Sequence, residues 1–98
     1  LAERTRGTEV TVNTVQVAPT WTDGVDAFMR QMAAIEKSTP EQMSKAYFAE
    51  GEARTSLLQR WARPEEIGAV VAFLCSPLAS AINGSAPRAD GGMVRSLF

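Results

Sequence analysis

The chain contains no histidine and a single cysteine, Cys75. Without histidine there is no Ser-His or Cys-His nucleophile pair and no ordinary zinc site. One cysteine forms no intrachain disulfide, which favours a reducing compartment, here expected to be the cytoplasm. An excess of one charge is also missing: ten basic residues stand against eleven acidic ones, for a net charge of −1. That balance predicts neither a nucleic-acid footprint nor a basic membrane patch. No apolar run approaches membrane-spanning length. The opening Leu-Ala-Glu-Arg-Thr-Arg-Gly lacks the apolar core of a signal peptide. It reads as the last turn of a helix capped by Gly7, so the chain is expected to continue structure that begins upstream.

What is present is enough for one domain: 98 residues, 45% of them hydrophobic. Residues 10–17 are rich in valine and threonine and predict a strand. Val10, Val12, Val15 and Val17 break strict alternation, which suits a parallel-sheet strand covered on both faces. Asp23 is the expected cap of a helix from 24 or 25 to 36. Val25, Phe28, Met29, Met32 and Ile35 form its apolar stripe. Thr39, Pro40 and Gln42 predict a second helix, with Thr39 as cap and Gln42 completing a capping box. That helix runs to about Glu50 with Met43, Ala46 and Tyr47 inward, and Gly51 ends it.

Residues 55–62 read as a connector anchored by Leu57, Leu58 and Trp61. A third helix starts at Pro64, with Glu65 and Glu66 complementing its dipole. It is apolar nearly all round, so burial on more than one side is expected. Ser76-Pro77 stops it. Residues 85–88 read as a second strand and Asp90-Gly91-Gly92 as a turn. Strand, helices and strand in this order predict a right-handed parallel crossover. Two strands do not make an independently stable sheet, so they are expected to complete one.

In open α/β sheets, ligands bind beyond the carboxyl ends of the strands. The turn at 17–22 occupies that place, and its N–H groups and hydroxyls suit an amide or a diphosphate. The alternative is an ordinary turn whose hydroxyls bond locally. Phe28, Met29, Met32, Met43 and Tyr47 read either as an adaptable apolar wall or as plain core. Asp23, Asp26, Glu65 and Glu66 are helix-start charges, and Gly91-Gly92 is not a phosphate loop. The sequence offers no catalytic acid–base set and no metal ligands.

The Val/Thr strand and its turn are followed by Arg63-Pro64-Glu65-Glu66-Ile67, then Ser80-Ala81-Ile82-Asn83-Gly84, then Arg88-Ala89-Asp90-Gly91-Gly92. In that order and spacing the chain resembles the C-terminal portion of the short-chain dehydrogenase/reductase family. The resemblance spans essentially the whole chain and is weakest between about 26 and 55. It implies an α/β fold, the C-terminal part of a Rossmann-like doubly wound parallel sheet, with two strands and about three helices present. Residues 1–98 would be one segment of a single NAD(P)-binding domain, with substrate-lid helices at about 24–60.

The implied reaction is hydride transfer between NAD or NADP and a carbonyl or alcohol of a small-molecule substrate. Val17, Ala18, Pro19, Thr20 and Thr22 would border the nicotinamide, although Val17-Ala18 stands where the family has Pro-Gly. Trp21, Phe28, Met29, Met32 and Tyr47 would belong to the substrate lid. Asn13 would be structural, bonding a neighbouring loop. Tyr47 is the only tyrosine, and Gly51 rather than lysine follows four residues later, so the family's catalytic Tyr/Lys pair has no match. The expected partners are the N-terminal part of the same fold and a second copy, met through the helix from Pro64 to Cys75 and the last strand. The other reading is a non-catalytic module that docks on an intact subunit.

Overall fold

Threonine hydroxyls start two of the helices. The computed structural model describes residues 1–94. Helix α1 spans Asp23–Ile35, and its cap is Thr22 rather than the expected Asp23. The Thr22 backbone is extended, and its Oγ1 accepts the Val25 N–H at 3.2 Å. One residue earlier than expected, a hydroxyl already satisfies this free N–H, and Asp23 becomes the first helical residue. At the other end Lys37 takes a left-handed φ of 54°, and Ser38 N–H returns to Ala33 O at 2.9 Å. This is the glycine-type helix stop made without glycine.

Helix α2 spans Pro40–Ala49. Thr39 Oγ1 accepts from Gln42 N–H at 3.2 Å, as expected of a cap. The Gln42 side chain does not close the capping box; its Oε1 accepts the Ser38 hydroxyl at 2.9 Å. Past the helix end Gly51 turns its N–H back to Ala46 O at 3.0 Å, an approach so close that a Cβ there would lie 3.0 Å from the Cα and O of Tyr47. Phe48 is the buried residue of α2, whereas Ala46, expected inside, is exposed. Helix α3 spans Pro64–Leu74 and carries Glu65 and Glu66 in its first turn.

The two strands pair in parallel, with Gln16 opposite Arg88 and Val17 opposite Ala89. Both are shorter than predicted: β1 is Gln16–Val17 and β2 is Arg88–Ala89. Rungs nonetheless run further, from Thr14 N–H to Ser85 O (3.0 Å), Gln16 N–H to Pro87 O (3.0 Å) and Ala18 N–H to Ala89 O (2.7 Å). In this register the return rung to Thr14 O would come from position 87. Proline has no N–H to give, so the ladder is one-sided there and the strand ends early.

Two asparagines hold the approach to the ladder. Asn13 Nδ2 donates to Ile82 O at 3.1 Å, and its Oδ1 accepts from Ser85 N–H at 3.0 Å. Asn83 Oδ1 accepts from Val12 N–H at 2.9 Å, and its Nδ2 donates to Thr5 Oγ1 at 2.7 Å. Asn13, ahead of β1, therefore takes the structural role that the family resemblance implies. Thr5 lies in a single 3₁₀ turn, Ala2–Thr5, where a helix end was expected; Gly7 follows at a φ of 76°.

The turn after β2 closes on the connector. Gly91 and Gly92 have φ of 65° and 79°, and a Cβ on Gly92 would sit 2.8 Å from the Leu57 side chain. Leu57 and Leu58 are exposed, contrary to expectation. Their N–H groups, both donating to Gly91 O at 3.0 and 3.1 Å, make the anchor instead. Asp90 accepts from Gly92 N–H at 3.0 Å and Val94 N–H at 3.3 Å.

Buried apolar residues are few: Met29, Phe48 and five alanines. No residue of α3 is buried, and Val71 and Phe73 are 44% and 47% exposed. The expected double-sided burial is thus not met among the described residues: Ile67, Val70 and Leu74 are half-buried, and the other side of α3 stays exposed. The radius of gyration is 17.1 Å, against about 13 Å for a compact domain of this length.

Arg60 ties the connector to α3. Its guanidinium forks onto Glu66 at 2.8 and 3.0 Å, and Arg63 N–H also donates to Glu66 at 2.9 Å. The Arg60 fork first, then the Arg63 N–H, hold the Glu66 carboxyl at about 2, below the ordinary 4.5. A depressed carboxylate contributes stability that is complete above pH 4.5 and lost as pH falls toward 2. NMR titration is expected to find the Glu66 carboxyl midpoint near 2, and Arg60→Ala to move it up toward 4.5. An unmoved midpoint would remove Arg60 as the cause. Asn13→Ala should lower the unfolding free energy by about 1–3 kcal/mol in urea, because it orphans two backbone groups. A loss below 0.5 kcal/mol, roughly the floor for one such bond, would show that the clasp is dispensable.

Candidate functional site

The last rung of the ladder delivers the chain to the turn. After Ala18 donates to Ala89, the opposite edge of the chain pairs with the connector. Ala62 N–H donates to Pro19 O at 2.8 Å and Trp21 N–H to Ala62 O at 2.9 Å, so Thr20 pairs with Ala62 in parallel. Peptide groups alternate along an extended chain. The N–H and C=O of Thr20 itself therefore point away from the connector.

Both threonine hydroxyls have one local bond and one capacity left. Thr20 donates its hydroxyl proton to Ala18 O at 2.7 Å and keeps acceptor lone pairs. Thr22 accepts from Val25 N–H and keeps its proton to donate. Ala18 is 6% exposed, and Lys37 and Gln59, not Ala18, are the non-glycine residues of positive φ among those described. Position 18 is therefore passed without a glycine-only conformation. Val17-Ala18 therefore leaves the turn in an ordinary backbone conformation.

The turn opens into a cleft of about 980 Å³. Val17, Ala18, Pro19 and Thr20 form one wall. Helix α1 adds Val25, Phe28, Met29 and Met32. Met43, Ala46 and Tyr47 come from α2, Trp61 from the connector, and Met93 from beyond β2. All four methionines of the chain thus face this one cleft. Glu36, Glu50 and Glu52, all exposed, stand at its rim.

Four of the five predicted turn residues line the cleft; Thr22 is turned to the start of α1. Phe28, Met29, Met32 and Tyr47 line it as well, Met29 deeply and Phe28 at 57% exposure. Trp21 does not reach it. Its ring packs edge-on against Trp61, 5.6 Å between centroids. Trp61 in turn stacks on Tyr47 at 5.0 Å and 6°, meets Phe48 edge-on at 5.2 Å, and donates Nε1–H to Ser44 Oγ at 3.0 Å. These rings fix one end of the cleft.

Sequence reasoning did not place Trp61, Met93 or the three glutamates at the site. Trp61 arrives through the pairing of Thr20 with Ala62, and Met93 through the glycine turn. Neither long-range contact leaves a periodic signal in the sequence. Among the described residues, no group of three or more His, Cys, Asp and Glu is placed to hold a metal ion, and no helix is long and apolar enough to cross a membrane.

A family model described as enoyl-(acyl carrier protein) reductase matches residues 1–94. Two proteins of Bacillus subtilis strain 168, the uncharacterized oxidoreductases YvrD and YvaG, are 47% and 50% identical over 97 and 98 residues. These matches cover 99% and 100% of this chain but 36% and 37% of the relatives, so the chain spans about a third of their length. Among solved structures, the NADPH-dependent reductase YwfH of bacilysin biosynthesis is 28% identical with a TM-score of 0.69, covering 91% of this chain and 32% of that one. L-Sorbose reductase from Gluconobacter frateurii, solved with NADPH and L-sorbose, has a TM-score of 0.86 over 98% of this chain and 35% of that one. At 23% identity that likeness shows the fold alone.

If position 18 needs no glycine, Ala18→Gly brings no relief. Thermal or urea unfolding should show a loss of about 0.5–1 kcal/mol from added chain entropy. A gain in stability would mean that the turn strains against its alanine.

Proposed function

The chain belongs to the short-chain dehydrogenase/reductase family, and from that membership we propose that it is the C-terminal third of an NAD(P)-dependent oxidoreductase with a doubly wound parallel sheet. The observation that carries the proposal is the turn at 17–20. It lies at the carboxyl end of β1 and opens into one cleft with the apolar residues of α1 and α2. NAD(P)H, when bound, supplies a hydride from the nicotinamide to a carbonyl carbon, or takes one back from an alcohol.

The residues of this chain orient and enclose. The backbone of Thr20 and the hydroxyl proton of Thr22 hold the carboxamide, and Pro19 packs beside the nicotinamide ring. The methionine wall and the rings around Trp61 keep water from the reacting carbonyl. In this reading residues 24–60 are the substrate lid. The proton comes from a tyrosine of the upstream part of the fold, with lysine and serine assisting. Tyr47 is not that tyrosine; its ring is stacked on Trp61. The description of YwfH as NADPH-dependent favours NADPH over NADH.

The upstream part is also the proposed first partner. A groove of about 1090 Å³ runs between residues 8–15 and the end of α3, and further elements of the sheet would pack there. The exposed Val71 and Phe73 of α3 suit a contact with a second copy. They equally favour the second reading, a non-catalytic segment that docks on an intact subunit. A cytoplasmic location is part of the proposal.

The isolated 98-residue chain is expected to be inactive and to show no saturable binding of NAD(P)H below millimolar concentration. The whole protein should oxidise NADPH with a carbonyl substrate. In it, Thr22→Val is expected to raise the cofactor KM several-fold and Thr22→Ser to restore most of the loss. Submillimolar binding by the isolated chain, or an unchanged KM in Thr22→Val, would overturn this assignment.

A further inference from the structure

The wall of the cleft and its rim differ in chemistry. The wall is built from Phe28, Met29, Met32, Met43, Trp61 and Met93, with Tyr47 and Thr20 as its neutral hydroxyl-bearing side chains. Among the described residues, the charged side chains at the rim are the carboxylates Glu36, Glu50 and Glu52. Among the described residues, no lysine or arginine lines the cleft.

An anion entering this cleft meets like charge at the mouth, and the described residues of the wall offer it no cation. Its desolvation goes uncompensated. A polyhydroxylated sugar fares little better. Along the wall only Thr20, whose proton is given to Ala18 O and which can still accept, and Tyr47 bring side-chain hydroxyls, so most sugar hydroxyls would face thioether and ring carbon. A flexible, uncharged hydrocarbon chain, by contrast, fits a surface of methionine and aromatic rings that can re-pack around it.

We infer that the substrate is an uncharged, largely apolar ketone or aldehyde, and that the Glu36, Glu50 and Glu52 rim selects against anionic carbonyl compounds. The inference rests on the oxidoreductase reading and narrows its substrate class. In the reduction, the carbonyl carbon gains the hydride of NADPH and its oxygen gains a proton, giving a secondary or primary alcohol and NADP⁺. The carboxylates at the rim take no part in that step. They act on which molecule enters.

The test uses the whole protein and a matched pair, 2-octanone and 7-oxooctanoate, which differ by a terminal carboxylate. Binding is read from tryptophan fluorescence, since Trp61 lines the cleft, and turnover from NADPH oxidation. The neutral ketone should bind and turn over about tenfold better, and fructose should do neither measurably. Replacing the rim together, Glu36→Gln with Glu50→Gln and Glu52→Gln, should shrink the preference to less than about threefold. High salt should shrink it in the unmodified protein, because the rim is exposed. A carboxylate bound as well as the ketone, no binding of either, or a preference unmoved by the triple variant would overturn the inference. Selective ketone binding without turnover would uphold the selectivity and overturn the hydride-transfer reading instead.

Discussion

Everything that positions the cleft depends on one parallel ladder, the pairing of residues 14–18 with 85–89. Its rungs are few, and proline at 87 removes one of them. The register is held instead by side chains at its open end. Asn13 spans Ile82 and Ser85, and Asn83 reaches back to Val12 and Thr5. A slip of one residue would turn each β1 side chain to the opposite face. It would also displace Pro19, whose carbonyl receives Ala62, and with it Trp61 and the stacked Tyr47. The clasp at one end of the strand and the aromatic cluster at the other are thus linked through a few backbone bonds.

The apolar surfaces follow the same logic. Among the described residues, alanines make up most of the buried ones, whereas Val71 and Phe73 of α3 stay exposed. The methionine wall, α1 and α2 are organised around the turn rather than around a central core. The elongated shape fits a segment whose stability comes mainly from what it packs against. That is the expected behaviour of two strands taken from a larger sheet. A cleft built this way combines a fixed edge, the ladder and its turn, with a soft wall. Hydride transfer to a carbonyl asks for that combination: a rigidly held nicotinamide and a substrate surface that tolerates variation.

Much of the fold was legible in the sequence because its signals are local. Thr39-Pro40, Pro64 with Glu65 and Glu66, and Gly51 mark helix ends through chemistry confined to four or five residues. The Asp90 turn follows from residue type, the parallel pairing from the order of elements, and the structural role of Asn13 from the family resemblance. What was misread depends on competition or on distance. Thr22 outcompeted Asp23 for the cap. The ladder ended early because Pro87 sits where a donor is needed on the other strand. The expected burial of α3 assumed neighbours that the described residues do not supply. At the site, the turn was legible from its place after the strand, and most of the apolar residues that line the cleft from their helical spacing. Trp61, Met93 and the glutamate rim were not, since they converge through the connector and the glycine turn, which no pattern in the linear sequence encodes.

The central claim is that the ladder aims the turn at the nicotinamide. A crystal structure of the whole protein with NADP⁺ bound tests it directly. The carboxamide is expected within hydrogen-bond distance, about 3 Å, of the Thr20 backbone and the Thr22 hydroxyl, with Pro19 against the ring. A nicotinamide bound away from this turn, with Thr20 and Thr22 left to local bonds alone, would contradict the account.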